Sequence, residues 1–246
     1  MYQKERIDKI NEILKTFGYV TVKFLTKELD YSTATINRDL NLMEKQKLIK
    51  RTYGGVELLN RKYVPLEFRY NLMKSAKNKL GVAALSLVND GDTVFIDGST
   101  TCENLGRRLI EKEGISVITN NMALVMFLSE RGINCTCLGG KVMESPYILG
   151  GETTVENAMK YNADICFFST TGMSDKGIIY SSTYNLLYST MIKNSKKVCY
   201  MAHSEKINIK DSYNLCDLNS ISYILTDYNF NDNVKNSYPD TRFIEI

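Results

Sequence analysis

The stretch STATINRDLNLMEK, residues 32–45, decides the fold of the N-terminal part of the chain. Ser32 is a good N-cap residue, because its hydroxyl can accept a hydrogen bond from a free amide of the first helical turn. With about 100° of rotation per residue, Ile36, Leu40 and Met43 fall in one narrow sector of the resulting helix. The residues that fall nearly opposite are Ala34, Arg38, Asn41 and Lys45. The stretch therefore predicts an amphipathic helix with one buried face and one exposed polar face.

Two shorter helices are predicted before this one. Apolar residues recur at three- and four-residue spacing between positions 7 and 14, which predicts a first helix that ends near Gly18. Thr21 can cap a short second helix, and Asp30 and Tyr31 form a tight connection to the third. Three helices within about 45 residues indicate a helix-turn-helix arrangement.

A hairpin is predicted after the third helix. Residues 48–58, LIKRTYGGVEL, have the pattern of a strand, a glycine turn and a returning strand. Such a β-wing would carry Lys50, Arg51 and Tyr53 at its tip, where they could meet phosphates or a minor groove. We therefore predict a winged helix-turn-helix over residues 1–57, with the third helix in the major groove of DNA. The predicted DNA contacts are Ser32, Thr33, Thr35, Asn37, Arg38, Asn41, Lys45, Arg51, Tyr53, Gly54 and Gly55.

The distribution of charge agrees with a polyanion partner. The first 62 residues hold 13 Lys and Arg against 8 Asp and Glu, whereas the remainder holds 18 against 20. The net charge of +3 is therefore unevenly distributed, and the N-terminal quarter of the chain is basic. The alternative is a three-helix module with a hairpin that serves dimerisation and binds no nucleic acid.

The remaining residues predict a second, larger domain. Residues 58–80 include a single proline, Pro65, and are expected to form a helical linker. From residue 81 to residue 246, apolar strand-like runs alternate with amphipathic helices, which predicts an α/β domain with a mostly parallel sheet. The predicted strands are residues 93–96, 116–118, 135–138, 165–168, 198–202 and 223–225.

Compact polar residues follow most of these strands. In open α/β sheets, ligands bind beyond the carboxyl ends of the strands. The first strand leads into a hydroxyl-rich turn at a helix N-terminus, where free amides and hydroxyls can hold an anion. A plain strand-to-helix turn capped by Thr101 is the alternative for this loop taken alone. The predicted effector-binding residues are Asp97, Gly98, Ser99, Thr100, Thr101, Thr119, Asn120, Asn121, Gly139, Gly140, Thr171, Gly172, His203 and Lys206.

These patterns resemble the DeoR family of bacterial transcriptional regulators. Residues 32–40, STATINRDL, resemble the family run Ser-x-x-Thr-Ile-Arg-Arg-Asp-Leu, and residues 51–55, RTYGG, its Arg-x-x-Gly-Gly. The Asp-x-Ser-Thr-Thr, Thr-Asn and Gly-Gly elements of the larger domain resemble the family's sensor domain, which is similar in fold to sugar-phosphate isomerases. The chain departs from the family at Asn37, where arginine is common. It also departs at His203 and Glu205, in place of aspartate and serine, and at Ser169, in place of glycine.

The resemblance implies a repressor of a carbohydrate-metabolism operon that binds operator DNA as a homo-oligomer, a dimer or a tetramer, under control of a phosphorylated sugar. Asp97, Ser99, Thr100, Thr101, Asn120 and Lys206 would help to hold that effector. The alternatives are an enzyme similar to sugar-phosphate isomerases and a metabolite sensor that does not bind DNA. We expect no enzymatic activity, because no cluster of carboxylates resembles the one that the isomerases carry.

Other classes of protein fit the sequence poorly. The longest apolar runs fall short of the roughly 20 residues that span a bilayer, and the charged N-terminus lacks the core of a secretory signal. The six cysteines are scattered and the chain has one histidine, so we expect reduced thiols, no metal and no cofactor. We expect a cytoplasmic protein that does not associate with membranes.

Overall fold

The computed structural model describes residues 2–46, 48–52, 55–58, 69–70, 72–144, 147–182 and 185–246. The chain divides into two compact units, Met1–Lys74 and Ser75–Ile246. The described part of the first unit contains a small sheet and the helices that pack on it. Its elements are α1 (Gln3–Phe17), β1 (Tyr19–Thr21), α2 (Val22–Leu29), α3 (Thr33–Lys45), β2 (Ile49–Thr52) and β3 (Gly55–Leu58).

The first unit has the predicted winged helix-turn-helix architecture, with one strand more than predicted. The antiparallel sheet has the order β1-β3-β2, so the short β1 between α1 and α2 pairs with the second strand of the hairpin. Gly18 ends α1 at a φ of 66°, and the Thr21 hydroxyl accepts a hydrogen bond from the Phe24 amide to begin α2. The buried faces of the three helices close over the sheet. The core residues are Ile10, Leu14, Tyr19, Val20, Leu25, Ile36, Leu40, Met43, Ile49 and Val56.

A buried ion pair joins the first and third helices. Asp39 on α3 is fully buried, and its carboxylate accepts hydrogen bonds from Arg6 Nε at 2.7 Å and Arg6 Nη2 at 3.1 Å. Gln3 donates a further hydrogen bond to the same carboxylate. The Arg6 guanidinium also lies 4.9 Å from the centre of the Tyr31 ring. Asp39 therefore fixes the position of α3 against α1.

Gly55 lies in the sheet and is buried beneath an aromatic ring. It pairs with Thr21 on one side and with Thr52 on the other. A Cβ atom at this position would collide with Tyr19 Oη and with the Val20 carbonyl oxygen. Close packing therefore accounts for this glycine. Of the predicted wing-tip residues, Lys50 and Arg51 lie instead within β2. Tyr53 and the predicted turn residue Gly54 lie outside the described residues.

The second unit alternates strands and helices along most of its length. Its elements are α4 (Lys74–Leu85), β4 (Thr93–Ile96), α5 (Thr100–Gly106), β5 (Ser116–Thr119), α6 (Met122–Ser129), β6 (Asn134–Cys137), β7 (Lys141–Glu144), β8 (Ile148–Gly150), α7 (Glu152–Ala158), β9 (Ala163–Phe168), β10 (Gly172–Met173), β11 (Ile178–Ser181), α8 (Leu186–Lys193), β12 (Ser195–Ala202), β13 (Tyr213–Asp217), β14 (Tyr223–Thr226), α9 (Asp232–Ser237) and β15 (Arg242–Glu245).

A parallel sheet forms the centre of the second unit, which confirms the predicted fold class. Its seven strands have the order β15-β14-β12-β9-β4-β5-β6, and every neighbouring pair is parallel. All six predicted strands are present, and β15 adds a seventh at one edge. The antiparallel sheets β10-β11-β13 and β7-β8 were not predicted.

Both faces of the large sheet are buried. Along β4, Phe95 belongs to one hydrophobic cluster, whereas Val94 and Ile96 belong to the other. The strand β9 alternates in the same way, with Phe168 in the first cluster and Phe167 in the second. Successive side chains of a strand point to opposite faces, so the two clusters are the two layers that cover the sheet.

The helix α4 packs against this sheet. Leu80 and Ala84 belong to the cluster that contains Val94 and Ile96. The domain boundary that we predict at residue 81 therefore falls within a packed helix.

The helices in the described part of the chain are all too short or too polar to cross a membrane.

We predict that Asp39→Ala destabilises the first unit by about 3 kcal/mol or more, because removing one partner of a buried ion pair leaves Arg6 and Gln3 without their acceptor. Differential scanning calorimetry of the full chain should show the unfolding of this unit at a lower temperature. Asp8→Ala, an exposed change on α1, is the control and should have an effect within about 0.5 kcal/mol. Equal transitions for the two variants would contradict the role given to Asp39.

Candidate nucleic-acid interface and ligand site

The helix α3 presents an exposed face of mixed polar residues. Its start is fixed by Ser32, whose hydroxyl accepts a hydrogen bond from the Thr35 amide at 3.2 Å and lies 2.9 Å from Thr35 Oγ1. Ser32 and Thr35 therefore have local capping contacts in addition to any role at a partner. The predicted contact residues that are exposed on this helix are Thr33, Arg38, Asn41 and Lys45.

A side chain from the hairpin reaches onto the same helix. Arg51 on β2 donates from Nη1 to Asn41 Oδ1 and from Nη2 to Asn37 Oδ1, each at 2.5 Å. Its backbone amide also lies 3.4 Å from Glu44 Oε1. Residues 37, 41 and 44 follow the spacing of one helix face, so that face carries Arg51 on its surface. Three residues predicted separately as DNA contacts are thus one hydrogen-bonded group.

The second unit has a candidate ligand site where the order of its strands reverses. From β4 the chain adds β5 and β6 on one side and β9 and β12 on the other. Loops that leave β4 and β9 therefore diverge at the carboxyl ends of these two strands, which is the usual place for a ligand in such sheets. The predicted loop 97–101 begins at this point, directly after β4.

Asp97 is buried at the start of the loop after β4. It is 1% exposed, and its carboxylate accepts hydrogen bonds from Ser99 Oγ at 2.6 Å and the Ser169 amide at 3.3 Å. Tyr188 Oη lies 3.3 Å from the same carboxylate. Burial raises the pKa of Asp97, while the hydrogen bonds from Ser99 and Ser169 act in the opposite direction. Asp97 thus links the loop after β4 with the loop after β9.

A lysine from beyond β12 reaches into the site. Lys206 donates from Nζ to Ser169 Oγ at 2.7 Å and to the Thr170 carbonyl oxygen at 2.6 Å. Ser169 in turn donates to the Met201 carbonyl oxygen. Ser169, where the family usually has glycine, therefore supplies a hydroxyl that positions the ammonium group.

A second lysine enters from α4 and was not predicted from the sequence. Lys77 is 3% exposed, and its Nζ donates to Thr100 Oγ1 at 2.9 Å. Its position could have been recognised, because Lys77 shares a helical face with the buried residues Leu80 and Ala84. A lysine at a buried helical position is uncommon unless a polar partner receives it.

His203 lies within the electrostatic reach of both lysines. It follows β12 directly and is 8% exposed, and its Nδ1 has no hydrogen-bond partner among the described residues. Burial lowers the pKa of His203 well below its ordinary value, and the charges of Lys206 and Lys77 lower it further. The imidazole is therefore neutral near pH 7 and offers an unused nitrogen.

The loop after β5 contributes one residue with an unused polar atom. Asn120 donates to the Leu149 carbonyl oxygen at 2.7 Å, but its buried Oδ1 has no partner in the described part of the chain. A Cβ atom at Gly98 would lie 3.3 Å from this oxygen and 2.9 Å from two carbons of Ile148. Gly98 thus permits the close approach of β8 to the Asp97 loop.

Other predicted effector residues have local structural contacts. Asn121 caps α6 through the Leu124 amide, donates to Glu103 at 2.9 Å, and its own amide donates to Thr119 Oγ1. Gly139 and Gly140 have φ values of 67° and 110°, as the turn between β6 and β7 requires. Three other predicted effector residues show no polar contact toward the site in the described part of the chain. Thr101 is buried, Thr171 is exposed and donates to the Tyr180 carbonyl oxygen, and Gly172 packs beneath Ile209.

No metal site accompanies this arrangement in the described ranges, where no three His, Cys, Asp or Glu residues group together as metal ligands would. The cysteines described are all free thiols. Burial raises the pKa of Cys102, Cys166 and Cys199, so these three are protonated structural thiols.

Comparison with known proteins agrees with both units. The family profile described as the DeoR-like helix-turn-helix domain matches residues 6–62, and that of the DeoR C-terminal sensor domain matches residues 73–228. The HTH-type transcriptional repressor GlcR of Bacillus subtilis is 33% identical over 92% of this chain and 89% of its own length. The lactose phosphotransferase system repressor of Lactococcus lactis is 32% identical over 92% of both chains.

Among solved structures, ribose 5-phosphate isomerase A of Methanocaldococcus jannaschii is similar with a TM-score of 0.41 and 15% identity. The similarity covers 55% of this chain and 54% of that chain, so the match spans about half of the isomerase.

We predict that the imidazole of His203 stays neutral well below pH 6.5, the region in which an exposed histidine gains its proton. Because His203 is the one histidine of the chain, its ¹⁵N resonances give an unambiguous titration. In the unfolded chain the imidazole binds a proton near pH 6.5, so stability falls as pH decreases below that value, by up to about 1.4 kcal/mol per pH unit.

The variant His203→Gln removes the imidazole that is protonated on unfolding. It should therefore lose less stability between pH 7 and pH 5 than the unmodified chain. A histidine that titrates at its ordinary pKa in the folded protein would refute the burial and the nearby positive charge.

Proposed function

Because the chain belongs to the DeoR family of helix-turn-helix transcription regulators, we propose that it represses genes of carbohydrate metabolism under the control of a phosphorylated sugar. The exposed face of α3 binds operator DNA, and the site at the carboxyl ends of β4 and β9 binds the effector. The names of its relatives support this choice, since one is a repressor of a lactose phosphotransferase system.

The observation that carries the effector assignment is the placement of Lys77 and Lys206. Both ammonium groups lie at the switch point of the sheet, and both act on the buried His203. A phosphate with a charge near −2 would offset this local positive charge, and charge-assisted hydrogen bonds to it are about twice as strong as neutral ones. The unused Oδ1 of Asn120 and Nδ1 of His203 are acceptors suited to sugar hydroxyl groups.

The placement of carboxylates favours binding over catalysis. A sugar-phosphate isomerase needs an acid and a base close to the bound sugar. Two other carboxylates of the larger domain, Asp164 and Glu152, lie away from Asp97 or in solvent. Asp164 pairs with Lys196 at the opposite end of β9, roughly 16 Å from Ser169 at about 3.3 Å per residue. Glu152 is exposed at the start of α7. Neither carboxylate is placed to act with Asp97 as an acid–base pair, so we propose a regulator without catalytic turnover.

The effector would act by a shift in population. We propose a homo-oligomer, formed by the larger domains, that sets the spacing of two helix-turn-helix units on the operator. A ligand changes DNA affinity to the extent that it binds the DNA-competent and incompetent arrangements differently. Such coupling is typically about 1–3 kcal/mol.

We predict that a phosphorylated pentose or hexose changes the affinity of the full-length protein for DNA from its own promoter region, measured by fluorescence anisotropy. The unphosphorylated sugar and inorganic phosphate are the matched controls and should have little effect. If no sugar phosphate alters either operator affinity or thermal stability, the effector assignment fails; multiple turnovers of a sugar phosphate would instead favour the enzyme.

The lysines provide a second test. Lys206→Met should weaken binding of the active sugar phosphate by about 1.5–3 kcal/mol, tenfold or more, because one charge-assisted hydrogen bond is removed. Lys193→Met, at an exposed position on α8, removes the same charge outside the site and should leave the affinity unchanged. Isothermal titration calorimetry on the three proteins measures the difference, and equal affinities for the two variants would exclude Lys206 from the site.

For the DNA interface, we predict that Arg38→Ala weakens operator binding. Lys45→Ala should reduce the slope of log affinity against log salt by roughly 0.9, because the variant neutralises one phosphate fewer. The same Lys193 position, changed to alanine, controls for a general decrease in positive charge. Salt titrations in which both α3 variants match the unmodified protein would remove α3 from the interface.

A further inference from the structure

The hydrogen-bonded group of Arg51, Asn37 and Asn41 has a consequence for base recognition. The Arg51 guanidinium bridges the two amide side chains on α3, with one Nη donating to each Oδ1 at 2.5 Å. Asn37 and Arg51 are half-buried, whereas Asn41 is exposed and lies on the face that also carries Arg38 and Lys45. The group therefore sits at the surface by which α3 would enter the major groove.

The chemistry of arginine determines the orientation of both amides. A guanidinium has five N–H donors and no acceptor, so only the oxygen of each carboxamide can face it. Both Nδ2 groups consequently point away from Arg51, and neither has an acceptor among the residues that the structure describes. Arg51 itself has three further N–H groups beyond the two used here. Arg51 uses one lone pair of each amide oxygen and turns that oxygen toward itself, so the surface presents mainly hydrogen-bond donors.

A surface of this kind discriminates between purines. Asparagine reads adenine by donating to N7 and accepting from the N6 amino group, which requires its oxygen to be available. Guanine instead offers two acceptors, N7 and O6, in the major groove. Donors held in a fixed arrangement match the guanine edge and leave the adenine amino group without a partner.

We propose that Arg51 determines the base specificity of this protein by holding Oδ1 of Asn37 and Asn41, so that the recognition helix selects guanine at the operator positions it faces. This inference rests on the proposed operator binding. A phosphate contact by Arg51 is the competing role, but the side chain lies along α3 between two groove-facing residues, whereas exposed Lys50 on the same strand is available to the backbone.

The test is selection of DNA sequences from a randomised duplex library by the full-length protein and three variants. Arg51→Met breaks the group and frees both amide oxygens. Arg51→Lys keeps the charge but removes the planar guanidinium that holds both amides at once. Lys50→Met removes one charge from the neighbouring exposed position on β2 and serves as the matched control. Circular dichroism and melting curves establish that each variant is folded.

We expect the unmodified protein to select guanine at one or two positions of each half-site. Both Arg51 variants should lose this preference by roughly five- to a hundredfold, with adenine gaining most, because bidentate pairs discriminate by about that factor. Lys50→Met should weaken all sequences in the same proportion and lower the salt slope by roughly 0.9.

The inference is overturned if Arg51→Met keeps the base preference and only weakens binding in the manner of Lys50→Met, since Arg51 would then contact phosphate. If Arg51→Met fails to fold, Arg51→Lys decides in the same way, by loss or retention of the guanine preference. Absence of any sequence selection by the unmodified protein would instead reject the proposed function, so the two failures are distinguishable.

Discussion

The pairing of β4 with β9 is the feature on which the larger unit depends, because the order of strands reverses at this pair. In open α/β sheets, ligands usually bind outside the carboxyl ends of the strands at such a reversal. Asp97 joins the two loops by accepting hydrogen bonds from both. A carboxylate buried to this extent costs free energy unless its acceptor positions are filled, so the conformations of the two loops are coupled.

Two lysines contact the loops that follow β4 and β9. Lys77 arrives from α4 and Lys206 from the turn after β12, elements that are distant in sequence. Each is held by hydroxyl groups, Thr100 Oγ1 in one case and Ser169 Oγ in the other. Both lysines therefore lie beside the loops where we propose that an anionic ligand binds. His203 stays neutral beside them, which leaves it able to accept a hydrogen bond.

Much of this organisation could be predicted because periodic patterns dictate it. The buried stripe of α3 and the continuous apolar strands of the parallel sheet appear directly in the sequence. The family motifs indicated Asp97 and Lys206 as effector-binding residues. Short or edge elements such as β1 and β15 have too few residues to show a period. The period of α4 could place Lys77 on its buried face. The contacts of Arg51 with Asn37 and of Lys77 with Thr100 join residues 14 and 23 positions apart, and such partners depend on tertiary packing that no local pattern encodes. Gly55 is a further example of a residue whose role depends on tertiary packing. Its place in the sequence predicted a turn, but in the structure it is a glycine because the Tyr19 ring leaves no space for a Cβ atom.

We propose that the ligand site and the DNA-binding surface are thermodynamically linked. Linkage is reciprocal, so a sugar phosphate that changes operator affinity by a given factor must itself bind the DNA complex with an affinity changed by the same factor. Calorimetric titration of that sugar phosphate into the free protein and into the protein–operator complex measures this most directly. We predict two affinities that differ by roughly five- to 150-fold. Equal affinities in the two titrations would contradict the linkage.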